Sequence, residues 1–240
     1  HVAHSYVRGN WRRSEETTPM ILAKCCHDLD LLQYYAQSKA KNVSSIGACT
    51  YFTKENAPKG ATARCKDCPY MESCTYSAKR VYIDRFIDLG KPENVWPFNV
   101  IAKDFPVTVE KLEREIYGNE SLYGRCVFAC DNNVVSHQTS NILFENGVTA
   151  SLTMMGFTHQ GGRIYRFFGT LGEIVLNEEV GTIEIKTFGG ATELINVGDL
   201  VEAGMAHGGG DAQLIEKLYN MIIGTADTQT SLESSLESHL

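Results

Sequence analysis

The sequence lacks the features that mark several large classes of protein. No apolar run among its 240 residues approaches the ~18 that a membrane helix needs, and no signal peptide is recognisable at the amino terminus. Basic residues are fewer than acidic ones, with 22 Lys and Arg against 29 Asp and Glu and a net charge of −7. An acidic surface is a poor partner for nucleic acid. We therefore expect neither a membrane nor a nucleic-acid partner.

The common nucleotide and hydrolase motifs are also missing. No strand leads into GxGxxG, and the P-loop GxxxxGK[ST] does not occur. HExxH and GxSxG are absent as well. The glycines Gly169 and Gly172 predict a tight turn between strands and not a dinucleotide fingerprint. We expect no cofactor-binding residue in this chain.

The composition is that of a folded protein, with 43% hydrophobic and 21% charged residues. Eight cysteines are many for this length. A chain of this size does not need disulfides for stability, and no secretion signal is visible, so we predict a reducing, cytoplasmic location.

Three of the cysteines are clustered, at Cys65, Cys68 and Cys74. A CxxC pair followed by a third cysteine can bind zinc through its thiolates, but structural zinc needs four ligands. A fourth would come from Cys49, Cys126 or Cys130. The alternative is a compact loop with packed thiols or one disulfide, and this alternative is favoured because the local fourth ligand is missing. We predict no metal site.

The first half of the chain reads as mostly helical. Residues 1–18 predict a polar loop, and Thr18 with Pro19 predicts an N-cap and first turn of a helix that runs to about Gln37. The following segments predict a strand at 42–53, an irregular region at 54–74, and helices at 76–88 and 108–116.

The second half reads as strands followed by a helix. Asn146-Gly147 between two alternating segments predicts a hairpin over 134–144 and 148–157. Short strands are predicted at 163–169, 173–177, 182–187 and 193–197, with a helix at about 211–223. The fold class is therefore α+β in a single domain over 1–240, with helices packed on one face of a large, mostly antiparallel open sheet.

The first helix carries the sharpest chemical pattern. Lys24, His27 and Asp30 are three residues apart and share one helix face. His27 suits a general acid/base, Lys24 can assist electrostatically or bind an anion, and Asp30 can hold the imidazole or make a structural bond. The alternative is a buried His–Asp network that fixes the helix to the sheet. The adjacent Cys25 and Cys26 are predicted to be core residues.

Two other segments are candidate ligand contacts. Arg8, Trp11 and Arg12 combine bidentate anion binders with an indole that can stack on a ring. His207 begins a glycine run that leads to Asp211 at a helix start, which suits a ligand rim. The alternatives are a solvated loop in the first case and a flexible linker in the second.

In their order and separation these pieces resemble the C-terminal domain of the Gfo/Idh/MocA oxidoreductase family. The resemblance covers nearly the whole chain and rests on residues 6–12, 20–30, 169–174 and 207–211. It implies an open sheet like that of the C-terminal domain of glyceraldehyde-3-phosphate dehydrogenase. It also implies an NAD- or NADP-binding Rossmann domain before His1, a C-terminal truncation at Leu240, and homo-dimers or tetramers formed through the sheet face.

The resemblance also assigns roles to residues. His27 matches the family's catalytic histidine and Asp30 the later aspartate, whereas Ala23 stands where the family has the histidine's partner aspartate. The implied function is substrate binding and oligomerisation in an oxidoreductase of sugars or polyols. The implied catalytic residues are His27 and Lys24, and the implied substrate contacts are Arg8, Trp11, Arg12, Asp30 and His207.

The chain alone is then expected to be inactive. Two alternatives remain open, a non-catalytic binding or assembly module and a cysteine-rich metal-binding regulatory domain.

Overall fold

The computed structural model describes residues 1–159, 161–200, 210–225 and 231–239. Its contacts separate two units, one formed by residues 1–157 with 233–239 and the other by the described residues between 158 and 232. None of the described helices is long and apolar enough to span a membrane.

The amino-terminal segment differs from its prediction as a polar loop. Ala3–Arg8 forms a π-helical turn whose six residues are all buried, and Asn10–Arg12 forms a 3₁₀ turn. The loop prediction over 1–18 is wrong here because the apolar residues have helical spacing. Val2, Ala3, Tyr6 and Val7 pack into the main core together with Met20.

Helix α1 spans Met20–Ala36, close to its predicted bounds. The predicted N-cap role of Thr18 is wrong, because Pro19 precedes the first helical residue and no side chain caps the helix. The helix ends at Gln37, whose φ of 52° is left-handed and whose N–H donates to Gln33 O. Such a left-handed residue is a common way to end a helix.

A three-stranded antiparallel sheet lies against α1. It contains β1 (Ala40–Ala48), β2 (His137–Phe144) and β3 (Thr149–Met155), in that order. The predicted hairpin is confirmed, with Gly147 at a φ of 87° that favours glycine. Leu29 and Leu32 of α1 pack on Ile142 and Phe144 of β2, which places the helix on one face of the sheet.

A second hydrophobic cluster is built from short helices. The π-helical turn Lys79–Asp84 continues into α2 (Arg85–Asp88), and α3 (Phe98–Ile101) and α4 (Val109–Tyr117) follow. The Oγ1 of Thr108 accepts a hydrogen bond from Lys111 N at the start of α4. The buried side chains of the cluster include Tyr82, Phe86, Phe98, Leu112 and Ile116.

The second unit contains a four-stranded antiparallel sheet in simple sequential order. Its strands are β4 (Ile164–Phe168), β5 (Gly172–Asn177), β6 (Thr182–Thr187) and β7 (Thr192–Asn196). Each predicted strand of this region is confirmed. A Cβ at Gly172 would collide with Lys186 O of β6, so the first residue of β5 must be glycine.

Two helices complete the described chain, α5 (Gly210–Ile222) and α6 (Leu232–His239). Ser238 Oγ of α6 donates to Asp30 Oδ1 at 3.4 Å, so α6 contacts α1 within the first unit. The α+β prediction with antiparallel sheets and helices is confirmed, and the described strands lie in sheets of three and four.

The second cluster predicts a large effect for a single truncation. Phe86 is fully buried, so we expect Phe86→Ala to lower the free energy of unfolding by about 3–5 kcal/mol through lost burial and cavity formation. Urea unfolding of the chain measures this loss. Phe188→Ala is the control, because that side chain is 70% exposed and its removal should change stability little. Equal losses in the two variants would contradict the proposed packing.

Candidate functional site

Helix α1 presents the predicted catalytic residues at its surface. Lys24 and His27 are exposed, whereas Asp30 is half-buried. The three lie along one face of the helix because they are spaced three residues apart. This exposure argues against the alternative in which His27 belongs to a buried network, although the catalytic role itself stays a prediction.

His27 has a sulfur neighbour that the sequence interpretation missed. Cys26 Sγ lies 3.6 Å from His27 Nδ1. Cys25 is buried, as the core prediction requires, but Cys26 is only half-buried. The contact engages Nδ1 of the imidazole, and Nε2 has no hydrogen bond to a described residue.

Asp30 has a described partner of its own. Its Oδ1 accepts the 3.4 Å hydrogen bond from Ser238 of α6, and the ion pair between Lys39 and Glu237 (3.6 Å) holds the same helix nearby. Asp30 therefore helps to hold α6, and its role as a substrate contact stays a prediction.

The amino-terminal segment packs against the base of this helix. Tyr6 and Val7 share the main core with Met20 and Cys25. Burial raises the pKa of the Tyr6 hydroxyl, and the neighbouring Cys25 and Cys26 thiols act in the same direction. The backbone that carries Arg8, Trp11 and Arg12 is therefore joined to the base of α1 by core packing.

Arg12 and Arg125 both bind the carboxylate of Asp131, and the three side chains form a carboxylate clamp. Arg12 Nε donates to Asp131 Oδ1 at 2.9 Å, and Arg125 Nη1 donates to the same oxygen at 2.6 Å. These charge-assisted bonds, that from Arg12 first, hold the pKa of Asp131 well below its usual range. Asn133 N also donates to Arg12 O (2.9 Å). Trp11 lies beside this clamp with 43% of its surface exposed, so its indole is available to a ligand.

Arg8 is placed differently from its neighbours. It is fully buried, with Nε donating to Arg125 O (2.7 Å) and Nη2 to Tyr76 O (2.6 Å). The cavity that it lines with Cys65 measures about 20 Å³, which suits a water and not a sugar. This geometry supports a structural role, and a substrate contact at Arg8 stays a prediction without geometric support.

A buried histidine close to Arg8 was not singled out from the sequence. His4 Nδ1 lies 3.1 Å from Tyr82 Oη, and its ring stacks on Tyr123 at 4.9 Å. Burial, with help from the positive charge of Arg8, lowers the pKa of His4 to about 4. Burial likewise raises the pKa of Tyr82 to about 12. Both side chains are therefore neutral near pH 7, which suits a core polar pair.

The cysteine cluster gives no sign of a metal centre. Cys65, Cys68, Cys74 and Cys126 line one small cavity, and each of these four is a free thiol. In the part of the chain that the structure describes, no three His, Cys, Asp or Glu side chains are grouped so that they could hold a metal ion. Zinc at Cys65, Cys68 and Cys74 therefore has no support. His207 lies outside the described residues.

Comparison with known proteins found no matching family model and no matching curated protein. Solved structures of oxidoreductases do match. A Thermotoga maritima protein assigned as an oxidoreductase is 14% identical, with 95% of this chain and 44% of that chain covered at a TM-score of 0.49. The UDP-N-acetylglucosamine 3-dehydrogenase of Acidithiobacillus ferrooxidans is 11% identical, with 92% of this chain and 46% of that chain covered at a TM-score of 0.46. Levoglucosan dehydrogenase in complex with NADH is 16% identical, with 45% of this chain and 34% of that chain covered at a TM-score of 0.39.

The chain spans less than half the length of each of these structures. At these identities and TM-scores the likeness does not extend to activity or substrate.

The carboxylate clamp predicts a pH-dependent contribution to stability. We expect Asp131→Asn to lower the free energy of unfolding at pH 7 by about 1 kcal/mol, a small value because the side chain is 43% exposed and water screens it. The folded-state pKa is lowered. The stabilisation is therefore complete above the unfolded-state pKa of about 4 and is lost as pH falls below it.

Urea unfolding at pH 7 and pH 3 measures this dependence. The difference between wild type and Asp131→Asn should shrink at pH 3. Glu120→Gln makes the same chemical change at an exposed side chain and should alter stability at neither pH. A difference for Asp131→Asn that is equal at both pH values would refute the clamp.

Proposed function

We propose that this chain is the substrate-binding and oligomerisation domain of an NAD(P)-dependent oxidoreductase that acts on a sugar, a polyol or a related hydroxy compound. The observation that carries the proposal is the row formed by the exposed Lys24 and His27 and the half-buried Asp30 on α1, a helix anchored by the sheet and the amino-terminal segment. Such a row combines a proton-transfer group, a cation and a carboxylate on a rigid element.

The three side chains divide the work of handling a hydroxyl group. The imidazole of His27 can take the substrate's hydroxyl proton at a ring nitrogen. The ammonium of Lys24, one turn earlier on the same face, stabilises the negative charge that develops on the oxygen. Asp30 orients a further hydroxyl through its carboxylate, and Trp11 offers an apolar ring for a sugar face.

The nicotinamide cofactor belongs to another domain in this proposal. When bound, it accepts the hydride that leaves the substrate carbon. Both described sheets are antiparallel, whereas a dinucleotide cradle is built on parallel βαβ units. The residues described here do not fit that cofactor, so the chain alone is expected to be inactive.

The proposed substrate is a sugar, a polyol or a related hydroxy compound. The matching structures include levoglucosan dehydrogenase in complex with NADH and L-sorbose. Those ligands belong to that protein, and a sugar or polyol for this chain is a proposal from the resemblance and the site chemistry. We place the protein in the cytoplasm on the support of the clustered free thiols Cys65, Cys68 and Cys74.

Oligomerisation is proposed through the four-stranded sheet. One face carries apolar side chains on its two central strands, Ile174, Leu176, Ile183 and Ile185, with Ile195 and Glu193 beside them on β7. The other face carries ion pairs such as Arg166–Glu173. No described residue of this unit is fully buried, so the apolar face has area left to cover. A second copy of the same face would cover it symmetrically.

The catalytic proposal is tested with His27→Ala in the full-length enzyme. Removal of a general acid/base should lower kcat by about 10²–10⁴-fold, measured as NAD(P)H formation over a panel of sugars and polyols. His159→Gln is the control, because it removes an exposed histidine of the second unit. Unchanged turnover in His27→Ala would remove His27 from the chemistry.

The assembly proposal is tested on the chain itself by light scattering after size-exclusion chromatography. Ile183→Lys places a charge in the apolar face and should convert the dimer or tetramer to monomer, because an unpaired charge is costly to bury. Glu184→Lys changes the opposite face of the same strand and should leave the mass unaltered. A wild-type monomer would exclude assembly through this face.

A further inference from the structure

The contact between Cys26 and His27 gives the imidazole a defined orientation. Histidine on an exposed helix surface can turn freely, but here Nδ1 faces a sulfur at 3.6 Å. Both residues lie on the well-anchored first half of α1, where Cys25 is buried and Tyr6 packs nearby. The sulfur can donate or accept a hydrogen bond, so the contact also bears on which ring nitrogen carries the proton.

The residue one helical turn before His27 could give its imidazole a stronger hydrogen-bond partner than a thiol, but this residue has no polar side-chain atom. Ala23 lies one helical turn before His27, and its methyl group cannot accept a hydrogen bond. If His27 acts as a base through Nε2, the proton of the neutral imidazole must be on Nδ1. A hydrogen-bond acceptor at Nδ1 favours that tautomer. The Cys26 sulfur is the polar atom that the structure places at Nδ1.

We propose that Cys26 is a positioning residue, whose sulfur accepts the Nδ1–H of His27 and so leaves Nε2 unprotonated toward the substrate. The inference rests on the proposed function for its catalytic meaning. The tautomer itself is a property of this chain and needs neither substrate nor cofactor.

The first experiment is therefore made on the 240-residue chain without ligand. Nitrogen-15 chemical shifts of the imidazole, assigned by loss of signal in His27→Gln, report which nitrogen is protonated above pH 7. We expect His27 to be mainly the Nδ1–H form and Cys26→Ala to shift it toward the Nε2–H form that free histidine favours. Cys49→Ala removes a half-buried thiol outside α1 and should leave the ratio unchanged. The same ratio in wild type and Cys26→Ala would overturn the proposal.

The second experiment uses the full-length enzyme. Cys26→Ala should lower kcat by about five- to tenfold, the effect of one modest hydrogen bond, with KM unchanged. Cys26→Ser should restore most of the rate because its hydroxyl can accept the same proton. A loss of kcat that serine does not rescue, or one matched by Cys49→Ala, would overturn the positioning role.

The two proposals fail in different ways. If His27→Ala turns over normally, the proposed function is wrong. If His27→Ala is impaired but the tautomer is insensitive to Cys26, only the inference about Cys26 is wrong.

Discussion

The first unit depends on the burial of one short segment, Ala3–Arg8, between α1 and the chain around Arg125. Its apolar side chains join the main core, and Arg8 and Arg125 exchange side-chain bonds to each other's carbonyl oxygens. A buried guanidinium is costly unless its N–H groups are satisfied. Arg8 Nε and Nη2 donate to carbonyls, whereas its buried Nη1 has no hydrogen-bond partner among the described residues. The same packing fixes the start of the turn that carries Trp11 and the foot of the helix that carries His27.

The elements that the sequence predicts well are those with local signals. Asn146-Gly147 needs only its flanking alternation to define a hairpin, and the short strands after residue 163 are separated by glycine turns. Helix α1 follows from Pro19 and a long run of helix-forming apolar residues. In each case the information lies within about ten residues of the element.

The parts that the sequence does not predict depend on distant partners. Arg12 and Asp131 are 119 positions apart, so no local pattern separates a clamped arginine from a free substrate ligand. Arg8 lies in the same arginine-rich stretch of sequence as Arg12, but its side chain is fully buried in the core. Cys26 is a different case, because it contacts His27, its neighbour in sequence. Cysteine is commonly buried, so the sequence predicts a core residue at Cys26 and not a contact with His27.

The lack of any fully buried described residue in the second unit has a dynamic consequence. The strands of its sheet are held together by backbone hydrogen bonds and surface ion pairs. Single strands can separate and expose these bonds to water without unfolding of the whole unit. The first unit has three clusters of buried aromatic and aliphatic side chains. Amide hydrogens of β4–β7 in the isolated chain would therefore exchange with solvent through local opening, whereas those around Phe86 and Leu112 would wait for cooperative unfolding.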